Sequence, residues 1–176
     1  MQAIDNAMAV KLSAPFPYVL ATTVKPDGRP NAIGIGSWIF ASWTPPVAGI
    51  SVAPARYSYQ CLDACGEFVL CFPSPEIARQ AWIAGTKSGR DFDKFGEGGL
   101  VALPAKKVRP PIIEGSTAAF ECRVINKVET GDHTLFIGSV VQMHGCPDKL
   151  AHLYCANGGR LVAIGSDGTM NFDLKY

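Results

Sequence analysis

Arg56-Tyr-Ser58 follows Pro54 where a strand-like run, Val47–Ala53, gives way to a helical pattern, and these residue types suit the capture of an anion. The first N–H groups of a helix lack intrahelical partners, and the helix dipole favours negative charge beside them. An arginine at that point adds charge-assisted donors, and the Ser58 hydroxyl adds another. Upstream, Ser37-Trp-Ile-Phe-Ala-Ser-Trp-Thr-Pro-Pro46 combines aromatic rings, small residues and hydroxyls before Ile50-Ser-Val-Ala53 leads into the arginine. Taken alone, the same residues also describe a solvated arginine, an ordinary helix cap and a strand whose rings are core.

Other chemistries find less support. No G-x-G-x-x-G follows a strand and no G-x-x-x-x-G-K-[ST] loop is present, so neither nucleotide fingerprint occurs. Gly34-Ile-Gly36 lies inside a strand pattern, where glycines let another backbone or a ligand approach closely. A G-x-S-x-G nucleophile elbow is missing. His133, His144 and His152 lack metal-ligand spacing with one another. Cys61, Cys65 and Cys71 are spaced by four and six residues with no second pair, unlike a zinc or iron–sulfur ligand set. Free thiols are expected of the six cysteines, because several lie in apolar runs and no secretory signal precedes them.

The elements that must position Arg56 and Ser58 are mostly strands. Tyr18–Val24 is β-branched and aromatic, Lys25-Pro-Asp-Gly-Arg-Pro30 is a turn, and Asn31–Ala41 reads as the returning strand. Ser42–Pro46 interrupts the pattern before Val47–Ala53. A helix over Arg56–Cys65 ends at Gly66, and Glu67–Phe72 forms another strand. Ser74, Pro75 and Glu76 open a helix running to about Ala84 and stopping at Gly85. The polar segment Thr86–Gly99 reads as a functional loop. Ser116–Val128 and His133–His144 are long strands joined by Glu129-Thr-Gly-Asp132. A helical stretch near Asp148–Cys155, a strand at Leu161–Ile164 and a polar tail complete the chain. Consecutive hairpins without strand–helix alternation favour a closed or partly closed antiparallel barrel, which removes exposed edges.

The 176 residues, 48% of them hydrophobic, suffice for one core, so residues 1–176 are expected to form a single domain. A net charge of +1 with interspersed signs gives no electrostatic footprint for nucleic acid. No apolar run reaches the length of a membrane span, and the N-terminus lacks the pattern of a signal peptide. A cytoplasmic protein is the expectation.

The order Asn31 through Pro46, Ala53 through Ser58, Gly66-Glu-Phe-Val69 and Ser88-Gly-Arg-Asp-Phe-Asp-Lys-Phe95 resembles the flavin reductase-like, FMN-binding split barrels, most nearly their flavoredoxin-type branch. Asp132–Val141 is similar to that family's late hairpin, so the resemblance runs from about Tyr18 to Ile164. It implies a mainly β fold, a six-stranded antiparallel Greek-key split barrel, that forms a homodimer and binds FMN without a covalent link. On that resemblance Arg56 and Ser58 hold the phosphate. Ser37, Trp38 and the stretch Phe40, Ala41, Ser42, Trp43 and Thr44 line the flavin ring, and Ser51, Val52 and Ala53 fix its edge. Ser88, Gly89, Arg90 and Lys94 complete the phosphate or ribityl contacts, and His133 reaches the flavin from the hairpin. NADH or NADPH is the implied electron donor, and a redox partner protein is one implied acceptor. Asn157-Gly-Gly159 is followed by Arg160 where relatives often carry an aromatic residue, which bears on how the pocket closes.

Overall fold

The computed structural model describes residues 1–156 and 159–174. In chain order its strands are β1 (Phe16–Pro17), β2 (Val19–Val24), β3 (Pro30–Ile35), β4 (Trp38–Trp43), β5 (Pro46–Val52), β6 (Glu67–Pro73), β7 (Ala102–Leu103) and β8 (Ile112–Ile113). The long pair β9 (Ser116–Thr130) and β10 (His133–Gly145) follows, then β11 (Ala151–Ala156), β12 (Arg160–Gly165) and β13 (Met170–Asn171). Three helices, α1 (Asn6–Leu12), α2 (Tyr57–Cys65) and α3 (Ala78–Thr86), intervene. None of the helices among the described residues is long and apolar enough to cross a membrane.

The main sheet is antiparallel throughout and has the order β3-β2-β6-β9-β10-β5-β4. Its two outermost strands, β3 and β4, are adjacent in sequence and separated only by Gly36 and Ser37. The Ser51 N–H donates to the Ser37 carbonyl at 2.9 Å, so the bend is held against the end of β5. One chain segment therefore supplies both edges, and the sheet rolls into a split barrel. The single strand expected over Asn31–Ala41 is thus broken in two, and seven segments stand in the sheet instead of six. The small, side-chain-poor Gly36 gives no packing that would keep the segment straight. Pairing with β5 also extends β4 through Ser42 and Trp43, where an interruption is expected from sequence.

Several β2 and β6 residues are buried on both faces, which explains their continuous apolar runs. Val19, Ala21, Phe68, Leu70 and Phe72 pack inside with Ile50, Val52, Cys122 and Phe136. Tyr18, Leu20, Val69 and Cys71 face the other way, against Ala78, Ala81 and Ala84 of α3 and against Leu153, Leu161 and Ala163. These last three belong to the second sheet, ordered β1-β11-β12-β13.

Local signals act as the sequence reading expects at the first turn and at the end of α2. Gly28 (φ 85°) and Gly66 (φ 67°) take the left-handed conformation, and the Gly66 N–H donates to the Leu62 carbonyl. The expected helix over Asp148–Cys155 is instead β11, paired with β1 and β12. Its non-local partners override a segment whose short apolar run fits either period. Ser74 precedes a 3-10 turn over Pro75–Ile77, without a side-chain cap bond, and α3 continues through Gly85 to Thr86. Helix α1, capped by Asp5, was not anticipated; none of its residues is buried. Asn157, Gly158, Lys175 and Tyr176 lie outside the described residues, and with them the first two positions of the Asn157-Gly-Gly159 segment.

Candidate functional site

Helix α2 begins beside the middle of β3, and the end of α3 runs along the other side of the same strand. What allows α3 so close is a pair of glycines. A Cβ on Gly34 would lie 2.1 Å from the Tyr18 hydroxyl oxygen, and one on Gly85 would lie 2.0 Å from it. That hydroxyl donates to the Ala81 carbonyl at 3.0 Å, so Tyr18 is wedged between β3 and α3.

The gap left between the two helices is a cleft of about 310 Å³. Ile33 and Gly34 form its floor, Ala55–Ser58 one wall, and Gly85–Arg90 with Lys94 the other. Four cations, Arg56, Lys87, Arg90 and Lys94, line it with no carboxylate among the lining residues. Arg56, Lys87 and Arg90 make no salt bridge among the described residues. Such uncompensated positive charge at the start of a nine-residue helix is the arrangement an anion requires. Arg90 stacks over the Tyr57 ring at 5.5 Å, which steadies the guanidinium at the cleft mouth.

Lys94 lines the cleft and also ties its walls together. Its ammonium donates to the Ala32 carbonyl at 2.5 Å and to the Ala84 carbonyl at 2.6 Å, tying β3 to α3. Burial, reinforced by the positive charge of Lys25, pushes its pKa down to about 8. It borders the cleft as a structural cation with two of its three donors already engaged.

A second cleft of about 160 Å³ shares Ile33, Gly34 and Arg56 with the first, and with it makes one trough with Arg56 at the junction. Gly36 and Ser37, the backbone end of β5 at Ser51–Ala53, and His133 line this portion. The His133 ring is hydrogen-bonded through Nδ1 to Asp132 at 2.8 Å.

Eleven of the seventeen candidate residues therefore meet along this trough: Arg56, Ser58, Ser88, Gly89, Arg90 and Lys94 in the larger cleft, and Ser37, Ser51, Val52, Ala53 and His133 in the smaller. Trp38, Phe40, Ala41, Ser42, Trp43 and Thr44 line neither portion. Trp38 packs edge-on against Phe72, and Phe40 stacks on Trp43 and meets Phe120 edge-on. Trp43 itself is 80% exposed, so β4 presents an apolar surface beside the trough's described lining.

Sequence reasoning missed Lys87, Tyr57 and Asn31 as site residues. Asn31 is buried beneath the cleft and donates to Ser58 Oγ at 2.9 Å. It opened one of the motifs, but nothing local distinguishes it from a strand residue. The cysteines stay apart from the site. All six are free, none lines either portion of the trough, and burial holds the Cys71 thiol up at about 12. No cluster of three or more metal-ligating side chains occurs among the described residues.

Comparison with known proteins agrees with this architecture. An uncharacterised protein of Archaeoglobus fulgidus is 37% identical over 129 residues, spanning 73% of this chain and 71% of its own. The NADH:riboflavin 5'-phosphate oxidoreductase of Streptomyces pristinaespiralis is 26% identical over 149 residues, with 84% and 80% covered. The structure of flavoredoxin of Desulfovibrio vulgaris (Miyazaki F) superposes with a TM-score of 0.80 at 28% identity, covering 94% of each chain. The flavin reductase like domain matches residues 12–162. Split barrel, cationic trough and family match coincide, and the chain belongs to the flavin reductase like domain family.

Proposed function

We propose that this chain binds FMN without a covalent link and works as a cytoplasmic, homodimeric oxidoreductase that passes electrons from NADH or NADPH to an acceptor. The observation that carries the reading is the trough itself: one end lined by four cations and no carboxylate, continuous with an end bordered by backbone and hydroxyl groups, in a member of a flavin reductase family. The fit to a phosphate-bearing flavin is good, since the cationic end offers helix N–H groups, two guanidinium groups and a buried serine hydroxyl. Arg56, Ser58 and the first turn of α2 hold the phosphate in this reading, and Ser88–Arg90 closes over it. Ser37, the Ser51–Ala53 backbone and His133 orient the remainder.

Once bound, the flavin supplies the two-electron redox chemistry, so the protein needs no general base or nucleophile of its own. The chain's part is to fix the phosphate, present one face of the ring and shape access for the donor. A nicotinamide reaching an exposed ring face requires no dinucleotide fingerprint, in keeping with its absence from the sequence. The exposed Ile39 and Trp43 on β4 suit burial by a second subunit, and Trp38 and Phe40 would then support the ring from behind that boundary. The acceptor in this reading is free flavin, a ferric complex, a partner protein or a small molecule.

A second reading, an electron carrier that receives electrons from a protein and not from a nicotinamide, is favoured by the likeness to flavoredoxin. Anaerobic mixing of the FMN-loaded protein with NADH and, separately, NADPH decides between them. Bleaching of the flavin absorbance supports the oxidoreductase; a spectrum unchanged by either nucleotide refutes it and leaves the carrier.

A further inference from the structure

Beneath the cationic cleft, one amide on its floor strand reaches both of its walls. Asn31, on β3 and 1% exposed, donates through Nδ2 to Ser58 Oγ of α2 at 2.9 Å and to Thr23 Oγ1 of β2 at 3.2 Å. Its Oδ1 is buried without a hydrogen-bond partner. That oxygen faces the backbone of Gly89: a Cβ on Gly89 would lie 1.9 Å from it. Only a residue without a side chain lets the loop after α3 lie this close, and Gly89 is itself buried.

The direction of the Asn31–Ser58 bond matters for binding. A serine hydroxyl has one proton and two lone pairs. Because Ser58 Oγ accepts from Asn31, its own proton remains free to donate, and Ser58 lines the cleft. An acidic side chain in place of Asn31 would take that proton and turn the serine lone pairs toward the anion. It would also put negative charge under a site built to receive it.

We infer that Asn31 is the positioning residue of the anion site: its amide sets the Ser58 hydroxyl as a donor toward the phosphate while leaving the cleft floor uncharged. The inference rests on the FMN reading above and adds a residue that acts through another, without touching the ligand itself. A purely structural Asn31, stitching strand to helix, would affect stability but not the preference for a phosphorylated flavin.

The test compares FMN with riboflavin, which lacks only the phosphate, by flavin fluorescence quenching in the wild type, Asn31→Asp, Asn31→Ala, Ser58→Ala and the double alanine variant. Asn31→Asp is expected to cut the FMN-over-riboflavin preference by about 100-fold, and Asn31→Ala by about tenfold. Riboflavin affinity is expected to stay within about threefold, and Asn31→Ala to add little to Ser58→Ala because both remove one interaction. A preference that survives Asn31→Asp, or fully additive alanine effects, overturns the inference while leaving the FMN site intact. A wild type that does not prefer FMN overturns the phosphate reading and the inference with it. If circular dichroism shows that Asn31→Asp does not fold, the alanine cycle decides alone.

Discussion

Replacing Lys94 with methionine probes a buried ammonium that has carbonyls for company and no carboxylate. Its Nζ donates to Ala32 and Ala84, the second near the C-terminal end of α3 where carbonyl dipoles favour a cation. Burial nevertheless dominates, Lys25 adds repulsion, the Cys61 thiol acts weakly the other way, and the pKa falls to about 8. In the unfolded chain it returns to the ordinary lysine value of 10.5. Below about pH 8 both states hold the proton, and the folded state bears the full cost of the buried charge. Between about 8 and 10.5 the unfolded state binds more protons than the folded one, so stability rises with pH, and above 10.5 the gain levels off.

The gap between the two values corresponds to about 3 kcal/mol of stability gained across that window. The methionine variant has no proton to lose there and lacks this gain. Buried thiols such as Cys71 give the opposite slope, because the folded state holds their protons longer, but they do so in both proteins and cancel in the difference. Urea unfolding of wild type and Lys94→Met at several pH values across the window is the assay. The variant also leaves two carbonyls without a donor, at about 1–3 kcal/mol each, so the slope of the difference carries the test and its absolute sign does not. A difference that is flat or falls with rising pH refutes the buried-ammonium account.

Other outcomes follow from single contacts. Arg56→Ala weakens FMN binding by about 1–3 kcal/mol, measured by equilibrium titration, if its guanidinium meets the phosphate; unchanged affinity removes it from the site. Gly85→Ala places a methyl 2.0 Å from the Tyr18 hydroxyl and lowers stability by about 1–3 kcal/mol in urea unfolding. Tyr18→Phe in that background recovers part of the loss, and an unshifted midpoint contradicts the wedge. Glu121, fully buried, accepts from the Lys106 and Lys107 N–H groups and from His144. Burial alone would raise its pKa, but those donors outweigh burial and the net shift is downward. Its stabilisation is therefore full above the ordinary glutamate range and is lost as pH falls through the lower folded value. Glu121→Gln is expected to flatten the acid limb of the stability curve, and an unchanged limb refutes the clamp.

Legibility in the sequence followed the range of the forces involved. The turn at Lys25–Pro30 and the end of α2 at Gly66 are local matters of proline, glycine and positive φ, and both stand where the residues indicate. The position of Arg56 and Ser58 at the start of α2 was readable for the same reason, since Pro54 and the helical pattern after it are local signals. The bend at Gly36-Ser37 was not, because it is imposed by pairing with β5, and β11 was not, because β1 and β12 decide its conformation. Within the trough, Lys87 lies beyond the end of a helix that local signals stopped too early. The engagement of Lys94 with Ala32 and Ala84 depends on two elements distant in sequence. The aromatic run Trp38–Trp43, given a ring-lining role only by the resemblance, has its rings set by pairing in β4, toward Phe72 and Phe120 or outward, which no local signal indicates.

The central claim, that the trough is an FMN site, is tested most directly by titrating the purified protein with FMN and following flavin absorbance and fluorescence to saturation. The account predicts a yellow protein that binds one FMN per chain, with the site lost or strongly weakened in Arg56→Ala. A protein that takes up no FMN, or takes it up with the same affinity after Arg56 is removed, contradicts it.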